Sequence, residues 1–154
     1  MKLPDLPLKG GCQCGAVRYS INSAPRTFYV CHCTDCQSQS GSAFGQSMQI
    51  NLADFEHSGP TAEFLRHAAS GRQMRCTFCP TCGTRLWHER AEGSDVAALK
   101  AGTLDDTSWL IPAAHIWIKS RQPWVKLPDE GLAYDGQPDM DELRQAWSAL
   151  LSQR

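Results

Sequence analysis

Apolar and polar residues alternate with a period of two along most of this chain, in short runs separated by Gly, Pro, Ser and Asp. In AVRYSI, Val17, Tyr19 and Ile21 fall on one face, and in FGQSMQI, Phe44, Met48 and Ile50 do the same. TAEFLRHA, RQMRCTF, TRLWHE, DVAALKAG and AAHIWI continue the pattern. Many short strands at close spacing predict a mainly β, antiparallel architecture. The period changes in PDMDELRQAWSALLSQR, where Met140, Leu143, Trp147, Leu150 and Leu151 recur at helical spacing. Asp139 and Glu142 are spaced as a capping box, so a C-terminal α-helix should pack on or beside the sheet. KLPDEGLAYDGQPD, rich in turn formers, predicts a surface wrap before that helix.

At 154 residues the chain is the size of one domain, 1–154, and can bury a core without disulfide staples. No internal repeat or linker divides it. The net charge of −1, from 15 basic and 16 acidic residues that do not segregate, gives no footprint for nucleic acid or an anionic membrane. MKLPDLPLKGG places prolines where a signal peptide needs an apolar run, and no window approaches a membrane span. The expectation is a soluble, cytoplasmic protein. In that reducing compartment, eight cysteines in clusters point to metal or catalysis rather than to disulfides.

The cysteines fall into groups. In FCPTCG, Cys79 and Cys82 form a CxxC followed by Gly83, which lets the chain turn back so that both thiolates face one ion. Cys12 and Cys14 in GGCQCG are two apart, on one side of extended backbone. Together they make a four-thiolate zinc site; the alternative is a redox CxxC unrelated to Cys12 and Cys14. Closing the long loop costs roughly 3–4 kcal/mol plus a constant, against about 10–16 kcal/mol from structural zinc.

Cys31, Cys33 and Cys36 in CHCTDC remain, with Cys76 far away. TDCQ reads as a helix start with Thr34 as N-cap, Gln37 at the reciprocal capping position and Gly41 as the stop. Cys36 then lies in the first turn, where free N–H groups favour its thiolate. Three thiolates with an open fourth position are a catalytic arrangement, whereas a fourth ligand from Cys76 or a histidine makes the site structural. Alternation sets Cys76 on the face of Phe78, as a core residue.

The CxC–Gly start, CHCTDC with SGSAF, FCPTCGTRL, GTLDD and HIWIKSRQPW, in this order, resemble the glutathione-dependent formaldehyde-activating (GFA) enzyme family, related to the centromere-protein-V type domain. The resemblance runs over about residues 10–124, leaving 125–154 as a C-terminal extension with the helix. It implies a β-tent of short antiparallel sheets around zinc, with structural zinc on Cys12, Cys14, Cys79 and Cys82. It also implies catalytic zinc on Cys31, Cys33 and Cys36, hence two zinc ions per chain. Cys76 is an addition to the family pattern. A soft three-thiolate zinc suits a fourth sulfur, such as deprotonated glutathione. The implied activity is a carbon–sulfur lyase acting on thiol–aldehyde adducts, S-(hydroxymethyl)glutathione synthase-like, in formaldehyde detoxification. Its partners are a small-molecule thiol and an aldehyde, and nothing in the chain sets an oligomeric state. A non-catalytic zinc-binding interaction module and a thiol redox or metal sensor are the alternative readings.

Other residues have simpler readings. His32 points away from its flanking ligands by alternation, His115 and His88 are packing residues, and His57 and His67 carry no context. Trp87, Trp109, Trp117 and Trp124 read as core or strand-edge aromatics. Arg18, Arg72, Arg75, Arg85 and Lys119 suit either a carboxylate ligand or a solvated strand face.

Overall fold

The computed structural model describes residues 2–68, 70–129 and 131–152. Eleven strands and two α-helices follow in the order β1 (Leu8–Gly11), β2 (Arg18–Ile21), β3 (Thr27–Cys31), α1 (Thr34–Ser40), β4 (Gly45–Asn51), β5 (Phe55–Ser58) and β6 (Ala62–His67). Then come β7 (Gln73–Phe78), β8 (Arg85–Arg90), β9 (Val96–Leu99), β10 (Ala114–Ile116), β11 (Leu132–Tyr134) and α2 (Met140–Ser152). The smaller sheet is β1-β2-β5 and the larger is β11-β10-β3-β4-β9-β8-β7-β6. The mainly β expectation holds, and the C-terminal helix forms. Antiparallel pairing gives way at one edge, where β10 runs parallel to both β3 and β11. β10 and β11 are three residues long, and alternation tells which face of a strand is buried, not the direction in which it pairs.

Alternation works where one face meets the core. Val17, Tyr19 and Ile21 are buried together, as are Met48 and Ile50 on β4. On β3 nearly every residue is buried, so it carries no alternating signal. Helix α2 is fixed to β3 by apolar and polar contacts. Leu143 and Trp147 are fully buried; the Trp147 ring meets Phe28 edge-on at 6.0 Å, and its Nε1–H donates to Pro25 O at 3.1 Å. Thr27 Oγ1 donates to Leu143 O at 3.1 Å, tying the strand to the helix backbone. Burying a side chain such as Leu143 contributes about 1.5–3 kcal/mol.

Two local expectations change. Asp139 Oδ1 accepts from the Asp141 N–H at 2.7 Å, but the Glu142 carboxylate accepts from the Tyr134 hydroxyl at 2.6 Å and so does not close a capping box. The turn-rich wrap contains β11, whose Tyr134 makes that bond; Glu130 within it and residues 153–154 at the helix end lie outside the described residues. Trp124 is 71% exposed in a turn, its Nε1–H on Gln122 Oε1, and is neither core nor strand edge.

Candidate functional site

Strand β1 ends at Gly11, so Cys12 and Cys14 lie in the turn that follows it rather than on extended backbone. The turn is closed by hydrogen bonds from Cys12 N to Val17 O and from Gly15 N to Cys12 O, both 3.0 Å. Gly15, at φ +80°, takes the left-handed conformation that this reversal requires. Cys79 and Cys82 form a matching turn between β7 and β8, with Gly83 N on Cys79 O at 2.8 Å and Gly83 at φ +75°. Gln13 N donates to Thr84 Oγ1 across the two turns at 3.1 Å. The four sulfurs all lie within 4.8 Å of one another.

Cys12 and Cys14 sulfurs are 3.5 Å apart and Cys14 and Cys79 sulfurs 3.8 Å apart. Tetrahedral zinc with bonds of about 2.3 Å separates its sulfurs by about 3.8 Å, whereas a disulfide needs about 2.05 Å. The donor set therefore fits a soft, four-coordinate ion. Val17 N–H points at Cys12 Sγ at 3.2 Å, and hydrogen bonding from the Thr84 side chain brings the Cys82 thiol down to about 5, both favouring thiolate.

The second cluster occupies a strand-to-helix corner. Cys31 ends β3, opposite Gly45 of β4 and Ile116 of β10, while Cys33 and Cys36 flank the start of α1. The N-cap is Cys33, one residue before the expected Thr34, because its Sγ accepts from Cys36 N–H at 3.3 Å. Gly41 stops the helix at φ +62°, as expected. Gln37 takes a different task from capping. Its Nε2 donates to His32 O and to Ser120 O, each at 2.9 Å, while Ser120 Oγ also donates to His32 O at 3.0 Å. With His32 N–H on Ile116 O at 2.9 Å, the backbone between two sulfurs is clamped at both polar groups.

The three sulfurs lie within 4.8 Å of one another. Hydrogen bonds from Cys31 and Cys36 hold the Cys33 thiol well below its ordinary value, and the bond to Cys33 pushes the Cys31 thiol up. A thiophilic divalent ion replaces such shared protons, and the set fits one with a position to spare. The His32 ring turns away, fully buried, stacking on His115 at 5.2 Å with Nε2 2.9 Å from His115 Nδ1. Burial lowers its pKa to about 4. Cys76 is fully buried opposite His88 in the β7–β8 pair and belongs to neither cluster.

A cleft of about 420 Å³ opens beside the triad, with Cys36, Gly45, Gln46, Arg85 and Lys100 in its wall. A Cβ on Gly45 would lie 3.1 Å from Cys36 Cβ and 3.4 Å from its Sγ, so glycine keeps this approach clear. Among the described residues no acidic side chain lines the cleft, and burial brings Lys100 down to about 8. A wider depression of about 530 Å³ beside Trp124 contains no cysteine. Sequence reading passed over Lys100, which has no local motif, and left Arg85 among several surface arginines. Arg18 instead pairs with Asp105, and Arg75 with Glu63 and Glu89. No helix among the described residues is long and apolar enough to cross a membrane.

A protein of Halomonas elongata named "Putative glutathione-dependent formaldehyde-activating enzyme" is 26% identical over 148 residues, covering 86% of this chain and 89% of the relative. A crystal structure of a Rhodobacter sphaeroides protein is 21% identical, covering 66% of this chain and 92% of the other, with a TM-score of 0.47. The family described as glutathione-dependent formaldehyde-activating enzyme matches residues 7–120, which include both cysteine clusters. The chain belongs to the glutathione-dependent formaldehyde-activating enzyme family.

Proposed function

We propose that Cys12, Cys14, Cys79 and Cys82 hold a structural zinc, and that Cys31, Cys33 and Cys36 hold a second zinc whose fourth position accepts a thiolate. There the protein acts as a carbon–sulfur lyase on thiol–aldehyde adducts of the S-(hydroxymethyl)glutathione type. In the synthetic direction the thiolate sulfur bonds to the carbonyl carbon, the carbonyl π pair moves to oxygen, and that oxygen takes a proton. In reverse the carbon–sulfur bond breaks and thiol and aldehyde separate. No oxidant or reductant is needed.

One observation carries this reading: three sulfurs beside a cleft walled by Arg85 and Lys100, with His32 and Cys76 each engaged elsewhere. Family membership supports the glutathione and formaldehyde chemistry. When bound, zinc supplies a soft cation that takes a sulfur ligand and favours its deprotonated form. The Gln37–His32–Ser120 clamp holds the triad's backbone in one geometry, so little reorganisation accompanies thiol arrival. Gly45 leaves Cys36 accessible, and Arg85 and Lys100 favour approach of an anion. We place this single domain, 1–154, in the cytoplasm, whose reducing poise keeps its eight cysteines out of disulfides.

Cobalt substitution tests the open position. Glutathione should perturb only the sulfur-to-metal charge transfer that disappears in Cys36→Ser, and the response should weaken as pH falls and the thiol keeps its proton. A spectrum indifferent to glutathione, in protein carrying both metals, would make the fold a non-catalytic zinc module.

A further inference from the structure

We infer that Arg85 and Lys100 form a carboxylate-binding subsite in the cleft beside Cys36, by which the protein selects acidic thiols over neutral ones. The inference rests on the reading above for the sulfur position next to it, and it assigns the other end of the ligand.

Arg85 and Lys100 share the cleft wall with Cys36, and among the described residues no Asp or Glu accompanies them there. Arg18, Arg66, Arg75 and Arg144 each have a carboxylate partner, but among the described residues none pairs with Arg85 or Lys100. Arg85, like Arg26, Arg72, Arg90 and Arg121, has no ion-pair partner among the described residues, and it is set apart by having two buried donors without a partner. Nη1 of Arg85 donates to Gln39 Oε1, and the guanidinium lies over the Phe64 ring with its carbon 5.6 Å from the centroid. These contacts fix the plane of the group. Its Nε and Nη2 are buried without a hydrogen-bond partner, although the Cys76 thiol is close enough to act as a weak sulfur acceptor. Nε and Nη2 are the two donors on one edge of the guanidinium, the fork that grips a carboxylate in a bidentate fashion.

Leaving two buried donors unmet is costly, and an arriving carboxylate removes that cost. Lys100 adds a point charge on the same wall. The edge is sealed from water, so ligand arrival requires the guanidinium or its cover to shift; Gln39, also in the cleft wall, is the group bonded to it there. A role confined to balancing the charge of three metal-bound thiolates would need positive charge nearby but no free fork.

Titration calorimetry on metal-loaded protein separates these roles with three probes. Glutathione carries thiol and carboxylates, S-methylglutathione only the carboxylates, and 2-mercaptoethanol only the thiol. Arg85→Gln should weaken binding of both glutathione compounds by about tenfold or more, as expected for a lost charge-assisted pair, with Lys100→Met acting in the same direction. The cobalt response to 2-mercaptoethanol should weaken far less, by no more than about twofold, because it loses only the general attraction for an anion. Arg85→Lys, which keeps the charge and loses the fork, should also weaken both and serves if Arg85→Gln does not fold. Failure of S-methylglutathione to bind, equal losses for 2-mercaptoethanol, or loss of zinc with ligand affinity intact would overturn the subsite. If no thiol perturbs cobalt but S-methylglutathione binds through Arg85, the subsite stands and the lyase reading falls. If thiols perturb cobalt and the Arg85 and Lys100 variants bind normally, the reverse holds.

Discussion

Cys14 and Cys79 are 65 residues apart and meet between two turns, whereas Cys31, Cys33 and Cys36 share one strand-to-helix corner. The first cluster joins distant parts of the chain, and its metal would act as a cross-link whose binding energy is folding energy. The second is gathered locally but depends on its surroundings for shape. His32's backbone is held from α1 and from Ser120, and Cys31 packs against Ala114, Ile116 and Leu143. With metal bound, the first cluster would hold the fold together, whereas the second would take its shape from the fold. They are also linked through the chain, since the turn carrying Cys82 leads into β8, whose first residue is Arg85 in the cleft wall.

The most severe break in this comparison comes from the ligands themselves. Cys12→Ser or Cys79→Ser should leave the protein largely unfolded or insoluble, while Cys36→Ser should fold and carry one zinc instead of two, by circular dichroism and metal analysis. Equal melting of both classes would refute the division of labour. Next, Leu143→Ala should cost about 2–5 kcal/mol of stability and speed zinc loss from the triad to a chelator, read by denaturant unfolding and metal release. Gln37→Ala leaves His32 O with one donor fewer and should cost about 1–3 kcal/mol, loosening the triad's metal while the four-cysteine site keeps its own.

Smaller effects sharpen the contrast. Burial holds His88 neutral, well below its ordinary pKa. Below about pH 6.5 the unfolded chain binds a proton there that the native state refuses, so stability falls with pH by up to about 1.4 kcal/mol per unit. His88→Gln should flatten that acid limb in urea titrations while both metal sites respond to acid as before. Cys76→Ala should change least and leave zinc at two per chain; a fall to one would make Cys76 a ligand and the triad a closed site.

Much of this was legible because one-sided burial writes itself into sequence. Val17, Tyr19 and Ile21 alternate because their strand has a wet face, and Leu143 and Trp147 recur at helical spacing because α2 has one too. Cysteine spacing likewise separated the two clusters that the structure gathers. What could not be read depends on distant neighbours. β3 is buried on both faces, Cys33 rather than Thr34 caps α1 through its sulfur, and Tyr134 takes the carboxylate that Glu142 would have used for its own helix. Lys100 ends an ordinary strand sequence, and only the folded sheets bring it beside Cys36.

The family match ends at residue 120, yet Leu143, Trp147 and β11 all lie beyond it. A protease cut or a premature stop codon between residues 121 and 139 would leave every one of the clustered cysteines in the polypeptide. It would take Leu143 from the wall behind Cys31, leaving Ala114 and Ile116 there, and remove the helix carbonyl that receives Thr27. Such a fragment would pass any inventory of its ligands while having lost part of the support of one of its two centres.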